Sequence, residues 1–558
     1  MVNLFSTFNL KNKFHTILFF AIVITQLIFI THYCFTKGGL YVDEQWSYNL
    51  ANSYNAPFIP TDDISDLFNK IIERDYFVNA LSVQENERFT YSSVINSQSK
   101  DVHPPLFYIV LHTVCSFFLN NYSLWLGIIP NLFFFVITQY FLYKIMMNIC
   151  ENRTISLIAV FIYGFSLGCV STNAIVRMYS MLTMFTVMAT FVNLDFIKSI
   201  VIQQQKKSLQ HYILLGLVYF LGFMTHYYFL LIGFFLSAIV FGILIIFNNL
   251  KTSLVYSIST LSGIIFGVIL FPAAINHILY SYRGTEALKN ILEKSDFSSR
   301  LDVFYIFAKN EISLGYFAFV LFFIILVLVL SYFITISKSN KNISIIFHTQ
   351  KLIKGFAQNN VEIKISIHAL CLLTVLLATT AVFLLVSKIA AFYDQRYIFN
   401  IYPLIIISVI SIIFCLFKIK QWNLKLCYIV LVFIGCIGMN NLSRYNIFWN
   451  YCNEMPAIEK QLPKGKSISI LIQNNTNWHP AVAFLKYFAR TDISYFTNEN
   501  NFDSFQIPNV ETIILIHVNP GKKFESSVFI DKIKGRYNFR NCQFIFKDWH
   551  GEVFMLTK

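Results

Sequence analysis

Apolar runs recur along the chain near residues 14–35, 123–147, 154–172, 175–198, 211–226, 228–248, 253–275, 313–336, 366–387, 397–417 and 424–440. A helix rises about 1.5 Å per residue and the hydrocarbon core of a bilayer is about 30 Å thick, so runs of about twenty residues predict membrane spans. The pattern predicts about eleven of them. A further apolar piece, residues 106–119, reaches only about 21 Å as a helix. It starts at Pro104-Pro105 and ends at Asn120-Asn121, which predicts a helix lying along the outer surface.

Past residue 440 the periodicity changes. Ser467–Gln473 and Thr512–Val518 read as buried strands, Ala481–Arg490 has helical spacing, and Cys542–Leu556 reads as a strand pair about His550-Gly551. The fold class expected is a polytopic α-helical membrane protein with a small C-terminal α/β extracytoplasmic domain. The membrane module is residues 1–440 and the α/β domain residues 441–558.

Charge sets the expected orientation. With the N-terminus inside, the short cytoplasmic connections collect Lys144, Arg153, Lys198, Lys206, Lys207, Lys251, Lys418, Lys420 and Lys425, whereas the short outer ones hold Arg177, Lys388 and Arg396. This matches the positive-inside bias, and a spanning 106–119 would invert it. The loops 36–122 and 276–312 and the C-terminal domain are then extracytoplasmic. A multi-pass protein of the cell (inner) membrane is expected, in contact with membrane lipids.

Composition agrees: 56% of residues are hydrophobic and 13% charged. The net charge of +14 belongs to cytoplasmic loops, so no nucleic-acid partner is expected. Lys11 and Lys13 precede a first run too long for a signal-peptide core and lacking an A-x-A site, which predicts an uncleaved span. The ten cysteines show no metal-ligand spacing. Cys452 and Cys542 are the two in the C-terminal domain, and the sequence leaves open whether they pair. Gly164/Gly168 and Gly263/Gly267 have the G-x-x-x-G spacing of close helix packing.

Charged groups beside spans are costly and tend to be functional. On the outer side the expected topology gathers Asp43 and Glu44, Asp101 and His103, Arg177 and Tyr179, His226 and Tyr227, and Asp394, Arg396 and Tyr397. Nucleotide sugars are confined to the cytoplasm, so an outward-facing transferase takes its sugar from a lipid. A polyprenyl phosphate is already a good leaving group. One carboxylate, Asp43, suffices as base for the acceptor hydroxyl. Arg177 and Arg396 suit the phosphate oxygens, with His103 able to hydrogen-bond the same group. The loop 276–312 brings Arg283, Lys289, Lys294 and Arg300, either to close over the lipid or as a solvated amphipathic helix.

The ordered set Asp43-Glu44, Asp101-Val-His103-Pro104-Pro105-Leu106, Arg177-Met-Tyr179-Ser-Met, Thr225-His226-Tyr227 and Gln395-Arg396-Tyr397 resembles the GT-C fold glycosyltransferases over residues 10–440. It is most similar to the bacterial protein-mannosyltransferase-like group, which includes the RgtA/B/C/D-like and aminoarabinose transferases. The resemblance implies inverting transfer from a polyprenyl-phosphate sugar with Asp43 as catalytic base. It implies substrate or lipid-phosphate binding by Glu44, His103, Arg177, Tyr179, His226, Arg396 and Tyr397. Some relatives carry a phosphate-binding lysine where His103 stands. Oligosaccharyltransferase relatives add acidic residues that help bind a metal, but Ser171–Thr183 has none. No cofactor is therefore expected and a divalent metal is not favoured. The acceptor is left open among lipid, glycan and protein. Two other readings stand beside this one: a transporter or flippase for lipid-linked glycans, and an outer-face glycan polymerase or ligase.

Overall fold

The computed structural model describes residues 13–37, 40–54, 64–202, 207–247, 250–292, 297–312, 335–339, 342–346, 352–358, 361–444, 466–518, 525–547 and 550–558. These fall into two compact units. One comprises residues 1–33, 102–106 and 131–448; the other comprises 34–101, 107–130 and 449–558.

The first unit is helical. Among the described residues seven helices are long and apolar enough to cross a membrane, or eight with the bent pair Arg153–Gly164 and Leu167–Ala174 taken as one span. Leu209–Thr225 and Leu424–Met439 are shorter apolar helices, so among the described residues fewer full-length spans appear than the eleven expected. The expected span 313–336 lies outside the described residues except for Thr335 and Ile336, which belong to strand Thr335–Ser339. Residues 106–119 form the short helix Leu106–Ser116. In hydrocarbon every backbone polar group must find a protein partner, and the bent pair shows how. Ser166 donates its hydroxyl to the Tyr163 carbonyl at 2.7 Å and accepts from the Cys169 N–H at 3.2 Å, ending one helix and capping the next across a 60° bend.

The G-x-x-x-G positions pack closely. A Cβ on Gly263 would lie 2.2 Å from the Gly216 carbonyl oxygen, so helices Leu209–Thr225 and Leu250–Leu270 approach backbone to backbone. Gly164 lies against the buried Gln26 side chain, which donates to the Val160 carbonyl and accepts from Gln139.

The second unit is built on a six-stranded mixed sheet. Its order is Ile71–Glu73, Ile493–Thr497, Ser467–Ile472, Thr512–Val518, Gly551–Thr557, Asn541–Lys547. Ile493–Thr497 and Thr512–Val518 flank Ser467–Ile472 and run parallel to it, and the outer pairings are antiparallel. Strands Ser467–Ile472 and Thr512–Val518 are buried along their whole length, as continuous apolar runs covered on both faces should be. Ile468, Ile470, Leu515 and Leu556 form the core with Phe529 and Ile533 of helix Ser526–Tyr537. The expected strands at 467–473, 512–518 and 542–556 all form.

One edge strand, Ile71–Glu73, comes from the first long loop, more than four hundred residues earlier in the chain. Helix Arg74–Leu81 follows it and seats the fully buried Phe77 against Phe488 and Phe496. The compact unit holding the C-terminal sheet therefore includes much of loop 36–122. Cys452 lies outside the described residues, and with it the question of its pairing with Cys542.

Candidate functional site

In the helical unit the chain breaks between Leu167–Ala174 and helix Tyr179–Ile197, and Arg177 sits in the break. Asn131 of the neighbouring helix donates to the carbonyls of Asn173 and Ile175 at 3.3 and 2.6 Å. Ser180 donates to the Asn173 side chain at 2.6 Å. The polar residues of this apolar stretch thus satisfy the interrupted backbone and fix the turn that carries Arg177.

Around it lie most of the residues singled out in the sequence. The His103 and His226 rings are 5.7 Å apart, and His226 and Tyr179 are 6.0 Å apart. His226 lies between helices Leu209–Thr225 and Phe229–Phe247, where the Tyr228 N–H donates to its Nδ1 at 3.0 Å. Burial, and then the charges of His103, Arg177, Arg283 and Arg396, hold the His226 pKa well below the ordinary histidine value. The ring is therefore neutral, and with Nδ1 accepting, its proton is on Nε2.

Arg396 pairs with Asp394 at 3.0 Å. Asp394 also caps the 3-10 turn Gln395–Ile401 by accepting from the Arg396 N–H at 3.1 Å. Tyr397, next in the turn, packs against Tyr228 with ring centroids 5.4 Å apart and the rings tilted. Its hydroxyl accepts from Arg283 at 2.5 Å. Arg177, Arg396 and His226 are each less than a tenth exposed, so the two arginine charges act in a medium that screens them weakly.

Two residues stand here that the sequence reading did not place in the site. Arg283, known from sequence only as one of several cations in loop 276–312, lies over the exposed Phe392 ring at 4.5 Å and reaches the buried Tyr397 hydroxyl. Its neighbour Arg300 instead donates to the carbonyls of Ser387 and Ala390 and anchors the loop. Lys289 is exposed, and Lys294 lies outside the described residues. Glu311 is buried and accepts from Gln395 at 3.0 Å, beside Ser171 and Asp394. Burial, against the Ser171 and Gln395 hydrogen bonds and with the Asp394 charge, raises its carboxyl to about 8. At neutral pH it is a protonated acid. Its only signal in the sequence was a carboxylate at the foot of an apolar run.

Asp43 and Glu44 belong to the other compact unit, in the first turn of helix Val42–Asn52. Glu44, expected among the binding residues, is fully buried. Its carboxylate pairs with Lys37 and accepts from the Tyr41 N–H at 2.7 Å. These contacts close the start of the helix. Asp43, next to it, remains half-exposed. Asp101 accepts from the Trp46 indole N–H at 3.3 Å.

What fold and site define together is a multi-pass helical membrane protein carrying a cluster of three arginines and two histidines, in which Arg177, Arg396 and His226 are buried and Arg283 and His103 partly so. Over 97% of its length the chain is similar to a crystal structure of ArnT from Cupriavidus metallidurans bound to undecaprenyl phosphate, with 97% of that chain covered, 9% identity and a TM-score of 0.49. It is similar to the apo structure of the same ArnT with the same coverage, 8% identity and a TM-score of 0.46. No family model matches the chain, and no curated protein does.

Proposed function

We propose that this protein is a membrane glycosyltransferase. It moves a sugar from a polyprenyl-phosphate donor to an acceptor hydroxyl on the outer face of the membrane, as the motif resemblance to the GT-C transferases implies. The observation that carries the reading is the convergence of positively charged side chains on a neutral His226. Arg177, Arg283 and Arg396 all act on it, and Arg396 pairs with Asp394. A largely buried cationic cluster of this kind favours an anionic ligand, and arginine forks match phosphate oxygens.

In this reading Asp43 takes the proton from the acceptor hydroxyl. The acceptor oxygen attacks the anomeric carbon from the face opposite the phosphate, the carbon–phosphate oxygen bond breaks, and the configuration inverts. The electron pair leaves with the lipid phosphate, whose extra charge is stabilised by the arginines and by the His226 Nε2–H. Glu44 keeps Asp43 in place through the helix start. No divalent metal is required, because the phosphate is already held by cations.

Asp43→Asn tests this. It keeps size and polarity but removes the base, so transfer should fall at least ~100-fold at unchanged membrane expression. Turnover at the wild-type rate would reject the role.

A further inference from the structure

The C-terminal sheet domain presents an aromatic surface next to the helix that carries Asp43. Gln45 is fully buried, and its side chain donates to the Ala483 carbonyl at 3.0 Å and accepts from the Lys486 N–H at 2.7 Å. It thereby locks helix Val42–Asn52 to the joint between short helices Trp478–Ala483 and Leu485–Phe488. One residue on, Trp46 packs on Trp478 with ring centroids 4.8 Å apart. Trp46 is buried, whereas Trp478 and His479 keep part of their surface in solvent. His479 stacks on the buried His550 at 4.9 Å and is hydrogen-bonded to it at 3.0 Å.

The rim of this surface is polar and uncharged on one side. The loop before Trp478 reads Asn474-Asn475-Thr476-Asn477, with all three asparagines exposed. It is pinned by Gln473, which donates to the Asn475 and Asn477 carbonyls, and by Asn477, which accepts from the His479 N–H. On the other side stands Asp101, bonded to Trp46. Asp43 precedes Trp46 by three residues, on the same helical face.

We propose that Trp478 is the floor of an acceptor subsite and that the acceptor is a glycan. A pyranose has one apolar C–H face and a ring of hydroxyls, which an aromatic floor with an amide and carboxylate rim matches in both respects. A lipid chain would want the floor without the rim, and an anionic acceptor would want cations. This rests on the transferase reading for its purpose, but the binding itself does not. Trp478 is a specificity-determining residue here, and Asp43 remains the base.

The test has two arms on the full-length protein in nanodiscs. In the first, maltotriose, mannotriose and N-acetylchitotriose are titrated without donor while saturation-transfer NMR reports contact. At least one should bind, Trp478→Ala should weaken it about tenfold, and Trp478→Phe, which keeps a ring, should stay within about threefold. In the second arm, with donor and the same acceptors, W478A should raise the acceptor KM by a similar factor and leave the donor KM unchanged. No binding of any of the three, or equal binding by W478A and wild type, overturns the proposal, as does a change confined to donor KM. Trp478-dependent binding without any transfer would instead defeat the transferase reading and leave the subsite standing.

Discussion

His226 and Glu311 carry opposite pH signatures, and both follow from burial. The folded-state pKa of His226 is depressed. As pH falls through the unfolded value of about 6.5, the unfolded chain takes up a proton that the folded chain refuses. Stability is therefore lost on the acid side. The carboxyl of Glu311 is raised to about 8 from 4.5. Between those values the folded chain holds a proton that the unfolded chain has released, so stability declines as pH rises from 4.5 toward 8.

His226→Gln should flatten the acid limb of thermal stability in detergent between pH 7 and pH 5, and Glu311→Gln the decline between about pH 4.5 and pH 8. Unchanged slopes would show that neither side chain is buried as described. Of the residues singled out in the sequence, the arginines, histidines and tyrosines were readable because each stands at the end of an apolar run. Arg283 and Glu311 were not, since choosing among the charges of a polar loop depends on which one the fold turns inward. The adjacent carboxylates look alike in sequence, but Glu44 is fully buried and paired with Lys37, whereas Asp43 keeps part of its surface in solvent.

Among the elements, the turn at Arg177 depends on a side chain from another helix. Asn131→Leu would leave the carbonyls of Asn173 and Ile175 without that donor, at a cost of about 1–3 kcal/mol. It should also reduce donor affinity by letting Arg177 shift, so a thermal midpoint and a donor KM both check it. Gly263→Val would force a side chain into the Gly216 carbonyl and should cost a similar amount, about 1–3 kcal/mol, without touching the cationic cluster. A variant as stable as wild type would contradict the close approach. Hydropathy located the helices well, because apolar length is a strong signal. It missed the bend at Ser166 because that break contains no proline and is made by a single serine that both donates and caps.

For the whole molecule, strand Ile71–Glu73 was invisible in the sequence. Three residues with one buried position carry no periodic signal, and the strand exists through its pairing with Ile493–Thr497. The parallel core strands, in contrast, were legible as short unbroken apolar runs. Ile72→Pro removes a ladder donor at the sheet edge, but Ile72 is also buried. It should increase protease cleavage of both the first loop and the C-terminal domain; cleavage of the loop alone would mean the two are not one unit.

The most direct test uses the purified protein in liposomes with a polyprenyl-phosphate hexose, radiolabelled in the sugar, and a soluble glycan acceptor, read by whether the sugar–phosphate bond is cut and in which anomeric form the product appears. The account predicts cleavage with inverted configuration, insensitive to chelator, in wild type, and none in Asp43→Asn. Label that crosses the bilayer still attached to its lipid, or product formed equally well by Asp43→Asn, would contradict it.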